Sequence, residues 1–379
     1  MPEHRRVYLH LGLQKTGTSY LQGVVLRNRD RLAAQGLDLV PASRRDAFAL
    51  MLMVRERYNP ERDPAWASEA LERFTTQLAS APGTRALLSQ ESLAAARRPQ
   101  ARRLVEACGD REVHLLLTVR DLGRQLPSAW QQELKAGKTE EYGQFLRRLQ
   151  RDQESGSGSH PWIQLDPARI LGRWAGVVPA ERVHVVTVPP RGSSPTLLLE
   201  RFCRVLEVDP SGLVPQQTAS NTSLGRVQAE VLRRVNDGLP PELRRRQVYG
   251  DVGKRFFASR VLADQDTTRI LVPQELRDWC RRVAADQVGA LSSAGYRIEG
   301  DLEDLRCRVE AFAEQDQVPT EGEVAAAAVI SLVRILALRG EATQRRRERT
   351  ASVRGVRARV RRLLGRGHEA GSWDISEES

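Results

Sequence analysis

From residue 6 to residue 207, short apolar runs alternate with stretches whose apolar positions recur every three or four residues. Residues 7–13 form the first run and predict a buried strand. In residues 18–35, Leu21, Val24, Val25, Leu26, Leu32 and Ala33 fall close to helical spacing, and Gly36 closes the segment. The alternation continues, with strands expected at 36–40, 85–89, 113–119 (VHLLLTV) and 183–188 (VHVVTV). Helices are expected at 64–81, 97–108, 121–136, 166–177 and 194–207. Strands that are apolar throughout, separated by helices, imply a parallel sheet covered on both faces. The fold class is therefore α/β, in three α/β/α layers.

Two polar stretches interrupt this order. Residues 153–160 (QESGSGSH) have the composition of a mobile loop, and 208–224 form a long connection without periodicity. From about 240 to 338 the pattern is helical with no clear strand, which divides the chain into an α/β domain (1–240), a helical extension (241–339) and a tail (340–379). The tail holds ten Arg against two Glu in 340–367 and then turns acidic. Val353, Val356, Val360, Leu363 and Leu364 recur there at helical spacing. This pattern suits either a basic amphipathic helix on an anionic membrane or a solvated, disordered segment.

The chain has 379 residues, enough for a large core, and a net charge of +11. That charge comes from 55 Arg and only four Lys (Lys15, Lys135, Lys138, Lys254), spread among 48 acids. An excess of this kind points to codon bias rather than a nucleic-acid surface, and with 5% aromatics and no reading motif nucleic acid is set aside as a partner. Cys108, Cys203, Cys280 and Cys307 lie far apart, so neither a metal site nor a disulfide framework is expected. With no leader-like segment and no run of membrane-spanning length, a cytoplasmic location is expected.

The residues richest in chemistry follow the first strand: Gly12-Leu13-Gln14-Lys15-Thr16-Gly17-Thr18-Ser19-Tyr20. A loop between a buried strand and a helix offers an anion free N–H groups, the positive end of a helix dipole and glycines that let backbone approach. Lys15 adds a mobile charge, and Thr18 and Ser19 add hydroxyls. In a chain that so rarely uses Lys, a Lys here reads as required. The order differs from the nucleotide-triphosphate loop, because Lys15 precedes Gly17 instead of following it. Further along, the strand at 113–119 ends in Arg120-Asp121, with Ser128 eight residues after Arg120 on the next helix. Arg120 offers a planar fork of donors, Ser128 a hydroxyl, and Asp121 is the expected N-cap.

LHLGLQKTGTSYLQ and VRDLGRQLPSAW together resemble the bacterial sulfotransferases that use 3′-phosphoadenosine-5′-phosphosulfate (PAPS), over about residues 6–240. The resemblance implies a P-loop-like sulfotransferase fold. It implies a 5′-phosphosulfate loop formed by Lys15, Thr16, Gly17, Thr18, Ser19 and Tyr20, and a 3′-phosphate held by Arg120 and Ser128. Asn221, in the segment NTSLG, resembles a further stretch near the donor, or else caps the following helix. Leu122 stands where the family often has Pro, and Arg44-Arg45 where relatives often carry a pair of His. No metal is implied.

On this reading Lys15 neutralises the bridging oxygen of the donor as its S–O bond breaks, and a base takes the acceptor's proton. Glu91, directly after the strand at 85–89, is the first candidate and Asp46 the second. His10 is third, with a buried structural role as its alternative, which His114 and His184 share. A sulfate-acceptor substrate, bounded by 41–66, 137–165 and 208–222, is the expected partner. Two other readings stay open: a non-catalytic protein that binds the product PAP, and a P-loop-type kinase.

Overall fold

The structure is a computed structural model that describes residues 5–13, 15–156, 160–215, 223–263, 265, 268–314 and 317–365, with only the backbone described at 160, 246, 247 and 349–365. β1 (Arg6–His10) leads through the loop into α1 (Thr18–Arg27) and α2 (Arg29–Ala34), followed by β2 (Leu37–Leu39). α3 (Arg44–Val54) and α4 (Ala70–Ser80) precede β3 (Arg85–Ser89), and α5 (Arg98–Glu106) precedes β4 (Glu112–Val119). Next come α6 (Leu122–Leu134), α7 (Tyr142–Glu154), α8 (His160–Ile163), α9 (Pro167–Trp174), β5 (Val183–Thr187) and α10 (Leu197–Leu206). The remainder comprises α11 (Arg226–Gly238), α12 (Arg246–Tyr249), a π-helical segment (Gly250–Leu262) and β6 (Val272–Pro273). It closes with α13 (Arg277–Ser293), β7 (Arg297–Glu299), β8 (Phe312–Ala313) and α14 (Glu321–Gly365).

The main sheet is parallel throughout, in the order β2-β3-β1-β4-β5-β7. Strand periodicity explains its layers. Val7 and Leu9, Leu115 and Leu117, and Val185 face one cluster, which α3, α4, α5 and α9 cover. Tyr8, Leu116 and Val186 face the opposite cluster, covered by α1, α2 and α10. Leu115, Leu116 and Leu117 are each 0% exposed, and burial on both faces contributes about 1.5–3 kcal/mol per leucine. The fold is thus the expected three-layer α/β/α arrangement. A second core joins α6, α7 and α11 to α13, the π-helical segment and the start of α14, so residues on both sides of position 240 share it.

Several elements differ from expectation for local reasons. The helix expected over 18–35 breaks at Asn28, whose buried side chain donates to the Val24 carbonyl (2.8 Å) and accepts from the Val214 N–H (2.9 Å). The helix expected from 64 begins as a 3₁₀ turn, Ala65–Glu69, before α4. The stretch from 240 to 338, expected without strands, contains three; β7 pairs with β5 and adds an edge to the main sheet. Finally, residues 321–365 form one continuous 45-residue helix, which includes most of the basic segment.

Candidate functional site

β1 lies between β3 and β4, and the chain leaves it first toward β2 and β3, later toward β4 and β5. The C-terminal end of a strand at such a reversal is where open α/β sheets place ligands. The loop after β1 occupies this point and keeps β1's register, since Leu13 N–H donates to the Thr118 carbonyl at 3.1 Å.

Three left-handed residues shape the loop: Gly12 (φ 58), Lys15 (φ 66) and Gly17 (φ 84). A Cβ on Gly12 would come within 2.1 Å of Thr18 Cγ2, and one on Gly17 within 2.6 Å of Leu198 Cδ2. Both positions therefore need glycine for space as well as for φ. Lys15 has no such freedom, and the left-handed conformation costs it about 1–2 kcal/mol. Arg120 Nη1 donates to the Lys15 carbonyl at 2.9 Å and helps hold that conformation. Gly17 caps α1, and among the described residues no side chain accepts from the first-turn N–H groups, which leaves that helix end open to an anion.

The individual residues divide by role. Thr16 is fully buried, and its hydroxyl donates to the Leu13 carbonyl (2.6 Å) and lies 2.7 Å from Thr118 Oγ1. Its side chain thus braces the loop from within. Thr18 donates to Glu91 Oε2 at 2.5 Å, which brings the first base candidate onto the loop. Ser19 is exposed on the first turn of α1, while Tyr20 packs its ring against the α1–α10 cluster. Burial holds the Lys15 ammonium below the usual lysine range, opposed by the Glu91 carboxylate and reinforced by Lys254 and Arg120. Gln14 and Asn221 lie outside the described residues.

Arg120 and Ser128 both line a cavity of about 360 Å³, bounded by α6, 190–191, 223–225, 268–271 and 304–311. Asp121 caps α6 as expected, accepting from Arg124 N–H at 2.9 Å. Arg124 is tied to Asp121 and to the Pro189 carbonyl (2.9 Å), so it joins β5's exit to the start of α6. Among the described residues, Arg120 Nε is buried with no hydrogen-bond partner. Burial, helped by Arg124, pushes the Arg120 pKa down to about 10. Arg191, Arg269 and Arg308 also line the cavity, and among the described residues their side chains make neither hydrogen bond nor ion pair. Leu224 is fixed in the wall by Gln131, which bonds both its N–H (2.8 Å) and its carbonyl (3.1 Å).

The other base candidates have structural duties. Asp46 sits in a capping arrangement at the start of α3, where its carboxylate accepts from Ser43 Oγ at 2.5 Å. Beside it, Arg44 Nη2 donates to the Ser19 carbonyl at 3.2 Å, and the Arg45 guanidinium stacks 4.1 Å from the Trp66 ring centre. His10 is buried, with Nδ1 2.7 Å from Ser89 Oγ, and burial pushes its pKa down to about 3. His114 and His184 pair with each other (3.0 Å) beside Glu112, in the N-terminal half of the sheet.

The sequence reading missed Arg191, Arg269, Arg306 and Arg308 on the cavity. Arg191 had a usable signal, since it follows an apolar strand at its C-terminal end. The other three belong to a region with no motif. Among the described residues no group of three or more His, Cys, Asp or Glu could hold a metal ion, and no helix is long and apolar enough to cross a membrane.

Comparison with solved structures finds a likeness in fold. A sulfotransferase from Alicyclobacillus acidocaldarius is similar in structure. It aligns over 77% of this chain and 96% of that one, at 15% sequence identity and a TM-score of 0.42. No family model matches the chain, and no curated protein matches it.

Proposed function

We propose that the protein is a sulfotransferase that uses PAPS and transfers its sulfuryl group to a hydroxyl or amine. The observation that carries this reading is the single arginine that serves two places: Arg120 holds the Lys15 carbonyl and also lines the basic cavity with Ser128. One donor molecule with a phosphosulfate at one end and a 3′-phosphate at the other suits two anion sites linked in this way.

The residues present fit that donor. The loop has glycines where a Cβ would fill the cradle, an open helix end and a lysine. Among the described residues, the cavity has an orphaned Arg120 Nε, and the side chains of Arg191, Arg269 and Arg308 around it are unpaired. Lys15 and the 15–19 backbone would hold the 5′ side; Arg120 and Ser128 would hold the 3′-phosphate. Bound there, PAPS supplies an activated sulfuryl group. Lys15 places positive charge where the leaving oxygen becomes anionic, an effect that is strong in a poorly solvated site. Glu91, which accepts from Thr18 of the same loop, would take the acceptor's proton. The capping bond of Asp46 favours Glu91 over it.

A second reading rests on Arg44 and Arg45, whose contacts with Ser19 and Trp66 are structural: a protein that binds PAP without turnover. Incubation with sulfur-radiolabelled PAPS and fractionated glycan, lipid and small-molecule extracts separates the two. The sulfotransferase reading expects label in one fraction with the wild type and none with Lys15→Ala. Tight PAP binding with no label in any fraction favours the second reading, and preference for ATP with magnesium overturns both.

A further inference from the structure

Two of the four cysteines meet beside the cavity that Arg120 and Ser128 line. Cys280 sits in α13, 0% exposed and inside the second core. Cys307 is partly exposed, on a short link between two 3₁₀ turns (Leu302–Leu305 and Val309–Ala311), and packs against the same core. Its thiol donates to the Cys280 carbonyl at 4.0 Å, and the two side chains are hydrogen-bonded to each other. On its other side Cys307 meets the start of α6. Its Cβ lies 3.8 Å from where a Cβ on Gly123 would stand, and its sulfur accepts from the Leu122 and Gly123 N–H groups. The cap leaves those two donors to it, because the Asp121 carboxylate takes the Arg124 N–H.

This setting divides the cysteines by reactivity. Cys108 and Cys203 lie in apolar clusters, and burial pushes both thiols up to about 12. The hydrogen bond from Cys280, joined by the two N–H groups, holds Cys307 below the usual thiol range, against burial and the Asp121 charge. Cys280, the donor of the pair, is pushed up. A helix N-terminus favours the thiolate, which is the reactive form, and a partly exposed thiolate beside a second thiol is the arrangement that peroxides oxidise.

We propose that Cys307 is a peroxide-reactive thiol with Cys280 as its resolving partner, and that the disulfide they form reshapes the neighbouring cavity. The Cys307 thiolate attacks one peroxide oxygen; the O–O bond breaks, hydroxide leaves and the sulfur becomes a sulfenic acid. The Cys280 sulfur then attacks that sulfur. An S–S bond forms, the S–O bond breaks, and the oxygen leaves as water with the Cys280 proton. Two thiols are thereby oxidised and one peroxide is reduced. The sulfurs close to about 2.05 Å, nearer than a hydrogen-bonded contact allows. Cys280 is fixed in the core, so the link that carries Cys307 moves, and Arg306 and Arg308 on either side of Cys307 line the cavity. The effect on donor binding rests on the sulfotransferase reading; the thiol chemistry does not.

The test treats the reduced full-length protein with hydrogen peroxide, alkylates it unfolded and digests it without reductant for mass spectrometry. A linked Cys280–Cys307 peptide should appear and vanish with dithiothreitol, while Cys108 and Cys203 are alkylated as free thiols. Cys280→Ala should instead trap the sulfenic acid, read as a dimedone adduct on Cys307. Calorimetry should show PAP affinity falling about tenfold on oxidation and returning with dithiothreitol, and Cys307→Ser should keep its affinity through the same treatment. Oxidation of Cys307 no faster than that of Cys108 and Cys203, or no adduct in Cys280→Ala, overturns the thiol site. A disulfide that leaves PAP affinity unchanged overturns its link to the cavity. If the reduced protein binds no PAP, the sulfotransferase reading fails on its own, and the linked peptide still decides the thiol site. Where Cys307→Ser does not fold, reversal by dithiothreitol in the wild type carries the same comparison.

Discussion

Substituting Gly17 by alanine isolates what the loop requires. The φ of 84° costs an alanine about 1–2 kcal/mol, offset by about 0.4–1 kcal/mol because alanine restricts the unfolded chain. A Cβ at 2.6 Å from Leu198 Cδ2 also forces that side chain aside, since carbon atoms ordinarily meet at about 3.5–4.0 Å. Leu198 is half-buried, so it can rotate, at about 0.5–1.5 kcal/mol. The net loss is about 1–3 kcal/mol, or about 1–4 °C in Tm for a chain of this size. Gly109→Ala is the matched control, with φ of 66° and nothing within 4 Å of its Cβ. Both variants should lose the backbone contribution, while Gly17→Ala should melt lower still. Only Gly17→Ala should weaken PAP binding, by about tenfold or more, because the displaced N–H groups are those aimed at the anion. Thermal melts and calorimetric titrations of both proteins provide the comparison. A Gly17→Ala protein that melts with Gly109→Ala and binds PAP as the wild type does would refute this account of the loop.

Two further outcomes follow from the same geometry. Glu91→Gln removes a carboxylate that acts on Lys15, so PAP should bind a few fold more tightly by calorimetry. With a labelled acceptor in hand, the same variant should turn over about 10²–10⁴-fold more slowly if Glu91 is the base, and unchanged turnover removes it from that role. His10 bears on stability through pH. Its folded pKa of about 3 lies below its unfolded value, so the unfolded chain binds the extra proton between about pH 6.5 and 3 and stability falls as pH drops through that window. Between pH 6.5 and 4.5 this amounts to about 2–3 kcal/mol, seen as a falling urea midpoint, and His10→Gln should lose that share. An unchanged pH dependence in His10→Gln contradicts the burial assigned to His10.

The elements that position the candidate site were legible because they are long and apolar or chemically unusual. β4 is a run of buried residues, and Lys15 stood out as a rare lysine between two glycines. β7 was not legible, because three residues with partly exposed side chains carry no periodicity and gain their place only by pairing with β5. The break at Asn28 depends on Val214, 186 residues away, and no local pattern announces it. Thr16 was grouped with the ligand-facing residues because spacing does not say which way a loop side chain turns.

The central claim is that one donor spans the loop and the cavity, and PAP titration by calorimetry tests it most directly, with AMP as the ligand that lacks the 3′-phosphate. The account predicts that wild type binds PAP well over tenfold more tightly than AMP. Arg120→Ala should lose most of that preference, and Lys15→Ala should weaken both ligands. Equal affinity for PAP and AMP in the wild type, or an Arg120→Ala protein that keeps the preference, would contradict it.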